Sequence, residues 1–364
     1  MAAANRNLGD ARKAKEDEFY TQLTDIEREL RHYKSHFKNK VVYCSCDDPR
    51  VSNFFHYFSY NFEKLRLKKL IATCYKSQRP DLFSRNDSEE AIYLEYDGDS
   101  SNNNVPDPED IAVQPLKGDG DFRSAESIEL LKQADIVVTN PPFSLFREFV
   151  SQLIEHDKKF LIVGNQNAIS YKEIFPLIQN DKLWLGYNNG DMRFKVPDYY
   201  PPRATRFWVD ENGQKWRSLG NACWATNLDI SKRHEELILY KQYSPDDYPS
   251  YDNYDAIEVS KVVDIPMDYD GTMGVPLTFL DKHNPDQFEI VGMTQSWFGG
   301  ASKIYPRQVQ VDADGKESFV TKLNDGAAIK VDTPPPNKTY YKVGDECFVK
   351  AYARILIRRK DQSA

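Results

Sequence analysis

The sequence predicts an α/β protein, an open and largely parallel sheet through about residue 229 followed by a smaller second region. Three observations carry that expectation. Apolar runs of strand length alternate with segments whose apolar residues recur at helical spacing. One run, Ala134–Thr139, is apolar almost throughout, as in a strand covered on both faces of a parallel sheet. The chain of 364 residues, 40% of them hydrophobic, is also long enough to bury one large core or two ordinary ones.

In chain order, Ile26, Leu30, Tyr33 and Phe37 share one face of a helix over Asp25–Phe37, which gives way to a strand at Val41–Cys44. Asp47, Asp48 and Pro49 break that strand. Phe54, Phe55, Phe58, Phe62 and Leu65 then mark a strongly aromatic helix face, and a second strand follows at Lys69–Tyr75. Ser77–Pro108 is rich in Asn, Asp and Ser and reads as a surface excursion holding one strand, Ala91–Tyr96. Ile111–Leu116 is a further strand, and Ala134–Thr139 ends at Asn140. Ser144 is the expected N-cap of a helix carrying Leu145, Phe146, Phe149, Val150, Leu153 and Ile154, with a strand at Phe160–Val163 after it. More strands are expected near Leu183–Gly186, Arg193–Val196 and Ala222–Asn227. Beyond Asp229 the alternation weakens, Tyr, Asp and Pro crowd Tyr243–Tyr269, and Pro334–Pro336 reads as a surface loop. The expected division is therefore 1–229 and 230–364. In an open α/β sheet, ligands collect at the carboxyl ends of the strands.

Composition narrows the function classes. With 20 Phe, 22 Tyr and 5 Trp the chain is not mainly disordered. No apolar run approaches the roughly 20 residues of a membrane span, and the first residues lack the apolar block of a secretory signal. Five Cys, an odd number, fit a reducing compartment, so a cytoplasmic protein without a membrane partner is expected. The net charge of −8 argues against a nucleic-acid partner only until its distribution is read. Eleven carboxylates fall between Asp87 and Asp121, whereas Lys64–Arg79 has none and basic residues cluster at Arg28–Lys40 and Arg354–Lys360. Separated basic stripes on an acidic chain can grip a phosphate backbone locally.

The sharpest feature is Asn140-Pro141-Pro142-Phe143 at the end of the buried strand. Two prolines fix φ and remove two backbone donors, so the loop presents acceptors. The Asn140 side-chain oxygen and the Pro141 carbonyl can accept both hydrogens of a planar amino group, and Phe143 offers a face for an aromatic ring. A rigid turn with a core Phe is the bland reading, and the buried strand before and amphipathic helix after the loop tilt against it. His32 with His36, and Cys44 with Cys46, lack the remaining ligands of a zinc site, so no metal is expected. No G-x-G-x-x-G, Walker A or G-x-S-x-G pattern is present. Trp297-Phe298-Gly299-Gly300 is either an aromatic wedge for DNA or core ending in a turn.

The Asn140 motif and its setting resemble the EcoRI-type adenine-specific DNA methyltransferases. The likeness extends to Asp17–Gln22, Val41–Arg50, Gly118–Ser124, Tyr251–Ile257, Met273–Leu280 and Arg354–Ile357, and is weakest over Gln295–Cys347. It implies a Rossmann-like sheet that binds S-adenosylmethionine, with residues 1–229 as the catalytic domain and 230–364 as a smaller target-recognition region. It also implies that Asn140, Pro141, Pro142 and Phe143 are catalytic. Phe19, Tyr20 and Thr21 would hold the methionine end of the cofactor, although Thr21 could instead cap a helix. Cys44, Asp47 and Asp48 stand where related enzymes carry a glycine-rich first loop, which this chain lacks, and one of the two Asp would meet the cofactor's amino group. Asp121 would accept from the cofactor's adenine amine and Phe122 would pack on its ring.

The function expected from the resemblance is transfer of a methyl group to the exocyclic amine of adenine in a specific sequence of double-stranded DNA, the base being turned out of the stack. A cognate restriction endonuclease acting without a stable complex goes with that reading. The rivals are methylation of a planar amine in RNA or of a protein glutamine, and a non-catalytic DNA-binding relative.

Overall fold

The computed structural model describes residues 19–45, 52–73, 91–98 and 111–360. The chain divides into two compact units, one reaching Ile178 and continuing through Lys182–Ile230, the other comprising Gln179–Asp181 and Ser231–Ala364.

The first unit is built on an eleven-stranded mixed sheet. Its strands are β1 (Tyr20–Thr21), β2 (Val41–Cys44), β3 (Lys69–Thr73), β4 (Ile92–Tyr96), β5 (Ile111–Pro115), β6 (Ile136–Thr139), β7 (Lys159–Asn165), β8 (Trp184–Leu185), β9 (Gly190–Lys195), β10 (Phe207–Val209) and β11 (Lys215–Thr226). The helices are α1 (Leu23–Leu30), α2 (Asn53–Tyr60), α3 (Phe62–Leu65), α4 (Ala125–Gln133), α5 (Phe146–Glu155) and α6 (Phe175–Gln179). The order is β1-β9-β11-β7-β6-β2-β3-β4-β5, with β8 and β10 paired to β11.

Among the described residues of this sheet, only β3, β2, β6 and β7 run parallel, in the registers Val42 with Leu70, Val42 with Ile136 and Val137 with Phe160. The expected largely parallel sheet is thus corrected to a parallel centre flanked by antiparallel strands, β4 and β5 on one side and β11, β9 and β1 on the other. The cause is local. Parallel pairing needs a long crossover, whereas neighbours such as β10 and β11 are joined by a short turn around Gly213, whose φ of 80° suits glycine.

Side-chain periodicity sets the helices more faithfully than their lengths. Ile26, Leu30, Tyr33 and Phe37 are all fully buried, yet α1 stops at Leu30 and a 3₁₀ turn at Lys34–His36 carries the last of that face. The aromatic helix breaks at Asn61 between α2 and α3 and ends at Arg66 in a left-handed conformation. Ser144 is not a cap. It lies within a 3₁₀ turn, Phe143–Leu145, because Pro142 turns the chain directly into that turn, and Leu145 occupies the N-cap of α5. Helix α4 is unexpected, being marked mainly by its cap, where the Ser124 hydroxyl accepts from the Ser127 amide at 3.1 Å.

The second unit holds two further sheets. Its strands are β12 (Ile257–Glu258), β13 (Met273–Pro276), β14 (Phe288–Met293), β15 (Gln308–Val311), β16 (Glu317–Val320), β17 (Ala328–Val331), β18 (Tyr340–Val343), β19 (Glu346–Lys350) and β20 (Arg354–Arg359). They form the four-stranded order β12-β13-β20-β14 and the five-stranded order β16-β15-β18-β19-β17. The stretch with least family likeness therefore folds as an antiparallel sheet of its own, around buried Tyr305, Leu323, Ala328, Tyr341 and Phe348. Trp297 and Phe298 sit half-buried in a 3₁₀ turn closed by Gly299 at φ 77°, a turn at the end of β14.

Candidate active site

Strand β6 is buried along its length and delivers Asn140, itself 6% exposed, at its carboxyl end. The Thr139 hydroxyl donates to the Ser45 carbonyl and so ties this end of β6 to the end of β2, where buried Cys44 lies. Asp47 and Asp48 lie outside the described residues. Pro141 is buried and Pro142 and Phe143 are half-buried.

The Asn140 amide is fixed from a distance in sequence. Its Nδ2 donates to the main-chain oxygen of Phe19, 121 residues away. That bond sets the orientation of the amide, and its Oδ1 is left buried with no hydrogen-bond partner among the described residues. A buried acceptor without a donor costs about 1–3 kcal/mol, so this oxygen is free to take a donor from outside the chain.

Phe19 joins the two halves of the site. Its ring lies 5.4 Å from that of Phe143, and also against Phe194 and Tyr200. It leads into β1, where Tyr20 pairs with Lys195 and Thr21 with Phe194 of β9. The Tyr20 carbonyl accepts from Gln22 Nε2 at 2.9 Å, and the Thr21 carbonyl from Asn53 Nδ2, the first residue of α2, at 2.7 Å. The Thr21 hydroxyl is buried and, like Asn140 Oδ1, has no partner among the described residues. Thr21 is not the helix cap, since Gln22 holds that position in α1.

Asp121 and Phe122 occupy the loop before α4. Both Asp121 oxygens are taken by the Arg123 guanidinium, at 2.9 and 2.7 Å, and Oδ1 also accepts from the Arg123 amide at 2.8 Å. Burial raises the Asp121 carboxyl, but these bonds outweigh it and hold the group below the usual carboxylate range. Phe122 meets Phe149 edge to face at 5.1 Å, its carbonyl accepts from Gln152 Nε2, and Arg123 reaches Glu148 at 3.0 Å. All three partners belong to α5, the helix that follows Asn140–Phe143, so this loop is joined to the Asn140 loop through that helix.

Two residues escaped the sequence reading. Arg123 and Asn53 orient others through hydrogen bonds, and their only sequence signal is proximity to Asp121 and to the segment after Cys44. The two histidines have separate duties, His32 stacked on Tyr187 at 3.5 Å and His36 Nε2 on the Asp229 carbonyl at 2.8 Å. Among the described residues no group of three His, Cys, Asp or Glu could hold a metal, and no helix is long and apolar enough to cross a membrane.

Residues 7–360 match the family described as adenine-specific methyltransferase EcoRI. The chain is 54% identical over 293 residues to the Type II methyltransferase M.EcoRI of Escherichia coli, covering 79% of this chain and 89% of that one. It is 44% identical to M.MgeORF184P of Mycoplasma genitalium, over 77% of this chain and 84% of the relative. It is 42% identical to M.MpnI of Mycoplasma pneumoniae, over 77% and 83%. No solved structure matches this chain. With a family match over nearly its whole length, which includes the Asn140–Phe143 loop at the end of a buried strand, the chain belongs to the EcoRI family of adenine-specific methyltransferases, enzymes that methylate adenine in DNA.

Proposed function

We propose that the enzyme transfers the methyl group of S-adenosylmethionine to the exocyclic amine of an adenine turned out of duplex DNA into the Asn140 loop. The observation that carries this reading is the pair of buried oxygens without partners among the described residues, Asn140 Oδ1, whose amide is held by the Phe19 carbonyl, and Thr21 Oγ1, two residues after Phe19. One suits the amine, the other the polar end of the cofactor. The catalytic domain is 1–229, and 230–364 reads the target sequence. The parallel order β3-β2-β6-β7, with Asn140 and Cys44 at carboxyl ends, supports a Rossmann-like cofactor-binding sheet. A cytoplasmic setting and a separate cognate endonuclease belong to the same reading.

Bound, the cofactor would supply an electrophilic methyl group, its S–C bond breaking to leave a neutral thioether as the N–C bond forms, and the methylated amine would lose one proton to water. The protein's part is to make the amine a better nucleophile. Its lone pair is delocalised into the ring, and hydrogen bonds accepted by Asn140 Oδ1 and the Pro141 carbonyl favour a more tetrahedral nitrogen and stabilise its developing positive charge. Because the Phe19 carbonyl holds Nδ2, the amide does not turn its donor toward the amine. Phe143, backed by Phe19, presents a ring face to the base. Thr21 and Asp121 would hold the cofactor, with Phe122 beside its ring, and Asp47 or Asp48 would meet its amino group.

Single-molecule sequencing of unmethylated genomic DNA treated with enzyme and cofactor tests the reading by reporting the modified base and its sequence context together. Methylated RNA or protein with unmodified DNA would favour a rival. Phe143→Ala should lose a stacking face worth about 1–3 kcal/mol, seen as poor retention of a fluorescent base analogue, while Phe143→Tyr retains most activity. Asp121→Ala should weaken cofactor binding in calorimetric titration without DNA. Wild-type affinity would remove Asp121 from the site and leave its pairing with Arg123 as its role.

A further inference from the structure

Strand β11 is twelve residues long, but only Ala222–Thr226 pair with β7, the last pair being Ala222 with Asn165. Its first part, Lys215–Asn221, runs on past the carboxyl end of β7. Strand β6 is parallel to β7, with Thr139 beside Ile162, so this overhang stands at the same sheet edge as the Asn140 loop. There it pairs with β9 on one side and β10 on the other.

Alternation along these strands sorts their side chains by face. Met192 and Phe194 turn into the core, and Arg193 and Lys195 are exposed on the other face. Register places Lys195 beside Trp216 and Trp216 beside Trp208. The two indoles lie parallel within 3° at 6.1 Å, and Lys195 Nζ stands 5.6 Å from the centre of the Trp216 ring. Between this face and the start of α1 lies a cleft of about 650 Å³, and Gln22 in its wall directly follows Thr21.

The charges in and beside this cleft are not equally available. Asp25 is bound by Arg28 at 2.7 Å, and Asp191 by Arg206 at 2.7 Å and by the Ser218 hydroxyl. Asp210 accepts from Trp216 Nε1 at 2.9 Å and from two backbone amides. Every carboxylate is thus engaged. Arg193 and Lys195 have no carboxylate within ion-pair distance among the described residues, although the charge of Arg193 acts on Asp25 and Asp191 and that of Lys195 on Asp210. The wall itself carries Asp25, Asp191 and Asp210 against Arg28 and Arg193, and Arg193 and Lys195 are the two cations here that close no ion pair and stand beside an aromatic surface.

Cations outside ion pairs next to exposed aromatic planes are what a nucleic-acid strand needs, phosphates going to the cations and sugars or bases to the rings. We propose that this ledge holds the DNA strand beside the target adenine, with Arg193 and Lys195 on a phosphate and Trp208 packed on the adjoining sugar or base. The proposal rests on the reading of the Asn140 loop as the site of DNA methylation. It gives the catalytic unit its own grip on the strand, apart from sequence reading.

Fluorescence anisotropy with a labelled duplex carrying the methylated motif tests it, using Arg193→Gln with Lys195→Gln, Trp208→Ala and Trp208→Phe. All are exposed or half-exposed positions, and unchanged cofactor titration confirms that each variant is folded. The double charge variant should bind about tenfold more weakly near 0.1 M salt, and its dependence of log affinity on log salt should be shallower by about 0.9, one phosphate contact. Trp208→Ala should weaken binding about five- to tenfold, and Trp208→Phe should restore most of it. In methylation assays the loss should fall on KM for DNA, with kcat near wild type. If wild-type enzyme binds the duplex and the variants match it in affinity and salt slope, the ledge proposal falls while the methylation reading stands. If wild-type enzyme binds no duplex, both fall.

Discussion

Asn140→Ala should slow single-turnover methylation by on the order of 100-fold or more, because the proposed mechanism then loses its preorganised acceptor for charge developing on the amine. The structure adds a second consequence. The same substitution removes the donor to the Phe19 carbonyl and loosens the strand that carries Thr21. One such bond is worth about 1 kcal/mol, so cofactor affinity should fall only a few-fold. Rapid-quench methylation at saturating cofactor separates the two effects. Asn140→Asp sharpens the comparison, since it keeps the acceptor but sets a carboxylate oxygen against the Phe19 carbonyl. It should lose cofactor affinity more than Asn140→Ala does. Near-normal transfer by Asn140→Ala would reduce the loop to a structural turn and end the proposed mechanism.

Glu258→Ala should destabilise the second unit by about 3–5 kcal/mol, the cost of leaving a buried cation without its partner. Arg354, with a side chain 12% exposed, meets Glu258, 7% exposed, through Nη2 at 2.6 Å and Nε at 3.1 Å. The Tyr251 hydroxyl donates to the same carboxylate at 2.5 Å, and burial together with that charge pushes the Tyr251 phenol well up, so it stays protonated. Glu258 lies on β12 and Arg354 opens β20, both paired with β13, so the ion pair spans three strands of one sheet. Urea unfolding followed through Trp297, the single Trp after residue 230, gives the midpoint. Arg354→Met combined with Glu258→Ala should recover much of the loss, because the uncompensated charge is then gone. A shift below about 1 kcal/mol in the single variant would show that the pair is screened by solvent.

Neither pair of partners in these predictions is adjacent in the chain, and that separates what was legible in the sequence from what was not. Composition alone marks the buried strands, since runs such as Ile136–Thr139 and Phe160–Val163 state their burial in their own residues. The spacing of Ile26, Leu30, Tyr33 and Phe37 marks the buried faces of the early helices. The acceptor-rich character of Asn140–Phe143 is equally local, because proline removes donors wherever it stands.

Whatever depends on which distant groups meet is set by packing. The antiparallel flanks are one case, since a strand's composition does not name its neighbour or its sense. Glu29 is another. It looks like a solvated helix residue, yet it is fully buried and accepts from the Tyr33 hydroxyl, the Tyr187 and Asn188 amides and the Asn188 side chain. Burial raises its carboxyl, and those four donors offset part of that cost while pinning the Gly186–Asn188 loop to α1. The orientation of the Asn140 amide is the third case. Local sequence supplies an oxygen and a nitrogen that can face either way, and the Phe19 carbonyl, brought up from 121 residues away, takes the nitrogen and leaves the oxygen without a partner among the described residues. Composition and spacing are local properties and survive in the unfolded chain. Hydrogen-bond satisfaction is a property of the folded neighbourhood, because a buried donor or acceptor must take its partner from whatever the packing brings beside it.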